Sequence, residues 1–270
     1  MLHTSTIHPT AVIEGDVHFD EDVIVGPNCI ITGPVTIKSG TRLMGQNWIC
    51  GRTEIGHGNL LYPGAHIGGP PQDLSVDHDA RDPGIVIGDK NIFREGFTGH
   101  RGKTDQLTRI GNNNYFMTNT HVGHDTQIQN NCQLASGVVL GGHVIMNDNV
   151  IVGGNTAIHQ FIELGYGAFL EGGYAATQNV PPWFMMTATN TCGSLNLVGM
   201  RRYGMSNDEI ERRKWVYKMI YHQGLSLTAA LKQMHAEGDD PVIQEYINFI
   251  ESSDKPICHG TPRPNRGGLA

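Results

Sequence analysis

Residues 110–140 read IGNNNYFMTNTHVGHDTQIQNNCQLASGVVL. Every sixth position is apolar (Ile110, Phe116, Val122, Ile128, Leu134, Leu140), and the same phase runs on through Met146, Val152, Ile158, Leu164 and Leu170. A period of six fits neither the about 3.6 residues of a helical turn nor a simple two-residue alternation; it fits a short strand plus a tight turn, repeated. The same ruler lies on the N-terminal part: Ile7, Ile13, Phe19, Val25, Ile31, Ile37, Leu43, Ile49, Ile55, Leu61 and Ile67, with Ile87 and Phe93 keeping the period farther on.

Two further columns support this reading. Four residues after each apolar position the side chain is mostly small or β-branched (Val23, Cys29, Val35, Thr41, Thr126, Cys132, Val138, Val144), which suits a second inward site in a narrow interior. Three residues after it stand mostly Asp, Asn or Gly (Asp16, Asp22, Asn28, Gly40, Asn113, Asn119, Asn131, Gly137, Asn149), the residues that accept left-handed backbone at a corner. The chain therefore predicts a mainly β protein, a parallel β-helix of hexapeptide repeats over 1–180, in which three hexads make one coil and residues 18 apart stack.

Two excursions, about 68–86 and 100–109, interrupt the ruler, and solenoid insertions commonly gather on a functional face. After Val180-Pro181-Pro182 the period is lost, and 181–255 reads as a C-terminal helical domain. Ser206 and Glu209 form a capping box, a second helix follows Ser226, and Asp240-Pro241 opens a third. The Pro- and Gly-rich residues 256–270 read as a loose tail.

Composition agrees and excludes several classes. The 35 glycines in 270 residues are close to twice the usual share of about 7%, without the three-residue period of collagen. A net charge of −7 disfavours a nucleic-acid binder. No apolar run approaches the ~18 residues of a membrane span, and no secretory leader is visible, so a cytoplasmic location is the expectation. Five cysteines without a C-x-x-C pair read as reduced thiols. Six of the nineteen basic residues (Arg201, Arg202, Arg212, Arg213, Lys214, Lys218) crowd into 199–220, where they suit an anionic partner or form a solvated helix face.

Exceptions within the corner columns point to chemistry. His143 and Phe161 stand where the repeat prefers Asn, Asp or Gly, so a local requirement outweighs turn propensity. Stacking puts His124 beside Asp125, beneath Gly142, with His143 above Asp125. Such a group suits acyl transfer to a hydroxyl. His124 serves as general base, Asp125 fixes its tautomer, and the Gly142 N–H, unshielded by a Cβ, meets the oxyanion. No nucleophilic side chain and no metal are needed.

At these residues the chain resembles the UDP-N-acetylglucosamine O-acyltransferases that begin lipid A synthesis. The resemblance rests on Pro71-Gln72-Asp73-Leu74, His100-Arg101-Gly102, His121-Val122-Gly123-His124-Asp125, Gly141-Gly142-His143-Val144, Ala157-Ile158-His159-Gln160-Phe161 and Gly199-Met200-Arg201-Arg202. It implies a left-handed β-helix and a homotrimer with active sites between subunits. It implies transfer of a 3-hydroxyacyl chain from the phosphopantetheine of acyl carrier protein to the sugar 3-hydroxyl of UDP-N-acetylglucosamine, with no further cofactor. Asp73 would bind the sugar; His100, His121, His143, His159 and Gln160 would contact substrate or acyl groups. Asn196, Arg201 and Arg202 would lie near the nucleotide, and the acidic carrier protein would give the basic stretch a purpose.

The chain departs from the family at two cations. Ser75 follows Leu74 where the family commonly has Lys, and Tyr203 replaces a second cation; Lys103 is a candidate to compensate. Three other readings stay open at this point: an acyltransferase acting on another nucleotide sugar or on an amino sugar, a hexapeptide carbonic anhydrase with zinc on three imidazoles, and a non-enzymatic scaffold.

Overall fold

In the computed structural model of the chain, the described residues are 5–76, 83–103 and 106–261. They form the expected left-handed parallel β-helix of hexapeptide repeats, a solenoid of about 10 turns followed by a C-terminal helical region. Short strands stack into three sheets of twelve, nine and eight strands, and within the solenoid each strand pairs with its counterpart one coil away. The register is the predicted 18: Ile24 pairs with Arg42 and Arg42 with Leu60. The excursions lengthen it, so that Leu60 pairs with Ile92 and Ile92 with Tyr115, after which Tyr115 returns to step 18 with Gln133.

The ruler residues fill the interior. Leu43, Ile55, Leu61, Ile67, Phe93, Phe116, Val122, Leu134, Leu140 and Val152 are all inaccessible to solvent or nearly so. Phe93 and Phe116 on successive coils stack with centroids 5.0 Å apart and planes within 5°. Corners follow the composition: Asp22, Asn28, Asn113, Asn119, Asn131, Asn149 and Asn155 all take the left-handed backbone, though in the first coil Gly15 rather than Asp16 does so. The inward column also carries a polar ladder where small or β-branched residues were expected. Buried Asn59, Asn91 and Asn114 stack, Asn59 Oδ1 accepting from the Asn91 N–H at 2.9 Å and Asn91 Oδ1 from the Asn114 N–H at 2.8 Å. All five cysteines are buried, and none forms a disulfide among the described residues.

Beyond Val180 the chain does not become helical at once. A hairpin of Phe184–Ala188 and Thr191–Leu195 first extends the largest sheet, Met185 pairing with Phe169 of the last coil. Four helices follow among the described residues: α1 (Leu197–Arg202), α2 (Asn207–Tyr221), α3 (Leu227–Ala236) and α4 (Pro241–Glu251). The Ser206–Glu209 capping box starts α2 as predicted, and Asp240 with Pro241 at the first turn starts α4.

Two expectations need correction. Residues 256–261 are no loose tail: His259–Gly260 runs parallel to the hairpin, with Ile257 and Cys258 buried, because these apolar side chains close the end of the core. Residues 262–270 of the expected tail lie outside the described residues. The basic stretch is also no uniform surface. Arg213 is buried and bonded to Glu245 of α4 at 2.6 Å, Arg212 pairs with Asp240 at 3.2 Å and Lys214 with Glu211 at 2.7 Å, leaving Arg201, Arg202 and Lys218 outside the ion pairs among the described residues. No helix among the described residues is long and apolar enough to cross a membrane.

Candidate active site

The corner between the strands His121–Val122 and Gln127–Ile128 carries His124 and Asp125. Asp125 sits in left-handed backbone, φ 59°, with a fully buried side chain; one coil on, His143 holds φ 60°, and one coil further Phe161 holds φ 65°. Bulky residues adopt this region only under constraint. Here the constraint is a stack: the His143 and Phe161 rings lie 4.5 Å apart and within 12° of parallel, while the His143 and His124 rings meet edge to face at 5.2 Å.

Asp125 organises the group. Its Oδ2 lies 2.6 Å from His124 Nδ1 and 3.6 Å from His143 Nε2. The backbone N–H of Lys103, on the second excursion, donates to both carboxylate oxygens at 3.2 and 3.1 Å, and the Asp125 N–H donates to Thr108 Oγ1 at 2.8 Å. An ionised carboxylate only accepts, so His124 carries its proton on Nδ1 and presents the Nε2 lone pair. Burial pushes the His143 imidazole down, its largest influence, against the opposing pull of Asp125.

Gly142 faces His124 directly. A Cβ there would stand 2.6 Å from His124 Cε1 and 2.7 Å from Nε2, so this position is glycine for space and not for a left-handed backbone. Its N–H has no backbone acceptor among the described residues.

An open cleft of about 430 Å³ gathers most of the predicted residues: Asp73, His100, His121, His124, Gly142, His159 and Gln160 all line it. His100 donates from Nδ1 to the Pro70 carbonyl at 2.7 Å, which anchors the first excursion, and His121 Nδ1 lies 2.8 Å from Thr98 Oγ1. Burial lowers His100 and takes His121 down to about 4, so both imidazoles are neutral near pH 7. Asp73 is held well below the usual carboxylate range, first by the Lys103 ammonium at 2.7 Å and then by Ser75. One wall is apolar: Val139, Ala157 and Ala175 are stacked register partners on one outward face.

Asn196, Arg201 and Arg202 are not brought to this cleft within one chain. Asn196 caps α1, its amide donating to the Gly167 carbonyl at 3.0 Å and accepting from the Gly199 N–H at 2.9 Å, and Gly167 belongs to the corner of Asn131 and Asn149. Arg201 and Arg202 are exposed in the last turn of α1. Sequence reading also passed over Thr177 and Val139, which line the cleft without breaking any column rule.

The metal-ligand pattern is limited. Among the described residues the group with atoms close enough to share an ion is His124, Asp125 and His143, within 4.8 Å of one another. It offers two imidazoles rather than three, and its His124 Nδ1 and Asp125 Oδ2 already bond to each other.

Hexapeptide coils, an acid-oriented histidine and an apolar-walled cleft define a hexapeptide-repeat transferase, and residues 107–142 match the family model "Bacterial transferase hexapeptide (six repeats)". Residues 179–258 match the model "Udp N-acetylglucosamine O-acyltransferase; Domain 2". The chain is 37% identical over 273 residues, covering 99% of both sequences, to a Sinorhizobium fredii protein named acyl-[acyl-carrier-protein]--UDP-N-acetylglucosamine O-acyltransferase. A Myxococcus xanthus protein of the same name is 38% identical over 253 residues, 92% of this chain and 97% of its own. The solved UDP-N-acetylglucosamine acyltransferase of Francisella novicida superposes with a TM-score of 0.91 at 33% identity, covering 96% of this chain and 95% of that one. The chain belongs to the UDP-N-acetylglucosamine O-acyltransferase family.

Proposed function

We propose that the protein transfers a 3-hydroxyacyl chain from acyl carrier protein to the 3-hydroxyl of UDP-N-acetylglucosamine, the first step of lipid A synthesis. The observation that carries this reading is the contact of Asp125 with His124 at the mouth of a cleft that also holds Asp73. His124 Nε2 takes the proton of the acceptor hydroxyl, and the oxygen attacks the thioester carbonyl. Negative charge on the tetrahedral oxygen faces the Gly142 N–H. Collapse breaks the carbon–sulfur bond; the phosphopantetheine thiolate leaves and takes the proton from His124 Nε2.

His121 and His100, kept neutral by burial, present lone pairs or N–H groups to substrate without adding positive charge beside the imidazolium that forms. The narrow apolar wall of Val139, Ala157 and Ala175 suits an acyl chain. Asn196, Arg201 and Arg202 reach the nucleotide from a neighbouring subunit of a homotrimer, a reading supported by the bond of Asn196 to Gly167, at a different corner of the coil from His124. Arg201, Arg202 and Lys218 receive the acidic carrier protein.

The test is product analysis. Purified protein is incubated with acyl carrier protein loaded with 3-hydroxyacyl chains and a panel of UDP-sugars, and the new linkage is mapped. An ester at the sugar 3-position supports the reading; exclusive amide formation on a UDP-amino sugar overturns it.

A further inference from the structure

We infer that Lys103 is a positioning residue that joins the acceptor-binding carboxylate Asp73 to the catalytic Asp125 and supplies the cation that position 75 lacks. The inference rests on Asp73 being the acceptor carboxylate.

Lys103 lies on the second excursion and works at both ends. Its backbone N–H lies 3.2 and 3.1 Å from the two Asp125 oxygens. Its Nζ donates to Asp73 Oδ2 at 2.7 Å and to Ser75 Oγ at 2.8 Å. Ser75 in turn donates to Asp73 Oδ1 from its N–H and from its hydroxyl, each at 2.8 Å. Both Asp73 oxygens are thus held, one by the serine and one by the ammonium, in a closed ring that bridges the two excursions.

The half-buried Lys103–Asp73 pair, 27% and 32% exposed, limits the freedom of both side chains. A carboxylate so neutralised keeps lone pairs for sugar hydroxyls without standing as an isolated charge in the cleft. The same residue fixes the carboxylate that orients His124, so movement of the acceptor loop is mechanically linked to the catalytic pair. The two roles separate chemically: the ammonium serves acceptor binding, and the backbone N–H, which no side-chain substitution removes, serves Asp125.

Lys103→Met keeps the stem and the N–H and removes the charge. It should raise the KM for UDP-N-acetylglucosamine by about 10–100-fold while kcat stays within about threefold, the signature of lost acceptor binding. Lys103→Arg should restore much of the loss, and Ser75→Lys added to Lys103→Met should return KM to within about fivefold of wild type by placing a cation beside the same carboxylate. A second readout needs no turnover: in Lys103→Met the amides of residues 72–76 should exchange hydrogen about tenfold faster, with residues 110–140 unchanged. A KM within threefold of wild type, or a fall in kcat alone, overturns the inference. If wild-type protein fails to acylate UDP-N-acetylglucosamine, the functional reading fails; the exchange measurement then decides the tether alone, faster exchange at 72–76 upholding it and unchanged exchange overturning it.

Discussion

Gly142 lies against the His124 imidazole so closely that a methyl group in its place would stand 2.7 Å from Nε2, the atom proposed to take the substrate proton. Its neighbour Gly141 is glycine for a different reason, since a Cβ there would stand 2.8 Å from the backbone nitrogen of Gln160 on the next coil. The two alanine substitutions should therefore diverge. Gly142→Ala pushes a side chain at the cleft surface, and displacing a base by about 1 Å costs roughly 10²-fold in rate, so kcat should fall by about that much with little change in melting temperature. Gly141→Ala forces two coils apart and should cost about 1–3 kcal/mol of stability. Paired kinetics and thermal melts check both.

Asp125→Asn keeps a residue that tolerates left-handed backbone while removing the charge that orients His124. The amide keeps one acceptor oxygen where the carboxylate had two and has no charge with which to stabilise the imidazolium. Turnover should drop by about 10²-fold or more, as for triad acids, with acceptor affinity nearly unchanged. Stopped assays beside calorimetric binding of UDP-N-acetylglucosamine provide the measurement.

Acid stability follows from the buried imidazoles. Burial lowers the folded-state pKa of His121 from the ordinary imidazole value of 6.5 to about 4, so on acidification the unfolded chain takes up this proton before the folded one. The stability that a neutral His121 contributes is complete above the unfolded value and is lost as pH falls from 6.5 towards 4. His121→Gln should therefore flatten the decline of melting temperature through that window; curves that stay parallel for the two proteins would contradict the assignment.

The asparagine ladder predicts a large effect far from the cleft. Asn91 is fully buried and serves Asn59, Asn114 and the Gly111 carbonyl, the last accepting at 2.8 Å. Asn91→Ala leaves buried partners unsatisfied and opens space, which should cost about 2–3 kcal/mol in denaturant unfolding.

Much of this was legible in the residue order, for a physical reason. A coil repeats its environment every 18 residues, so Leu43, Leu61 and Leu134 face the same interior and Asn131 and Asn149 meet the same corner. In so regular a background His143 and Phe161 were visible as violations, and their stacked rings explain why they break the rule. The capping box at Ser206 was equally plain. The excursions have no period, and so the double contact of Lys103 with Asp73 and Asp125 left only the hint of a displaced cation. The strand at His259–Gly260 was missed because its partner, the Thr191–Leu195 strand, is distant in sequence, and the hairpin at Phe184–Ala188 was missed because it no longer follows the six-residue period. Arg213 looked like surface charge because its partner Glu245 lies on a separate helix.

The central claim is that His124 removes the acceptor proton. The most direct test compares turnover of wild-type and His124→Ala protein on 3-hydroxyacyl carrier protein and UDP-N-acetylglucosamine, with acceptor affinity measured in parallel. A fall in kcat of about 10²–10⁴-fold with acceptor affinity within threefold is the predicted result. Turnover at the wild-type rate in His124→Ala would contradict the account.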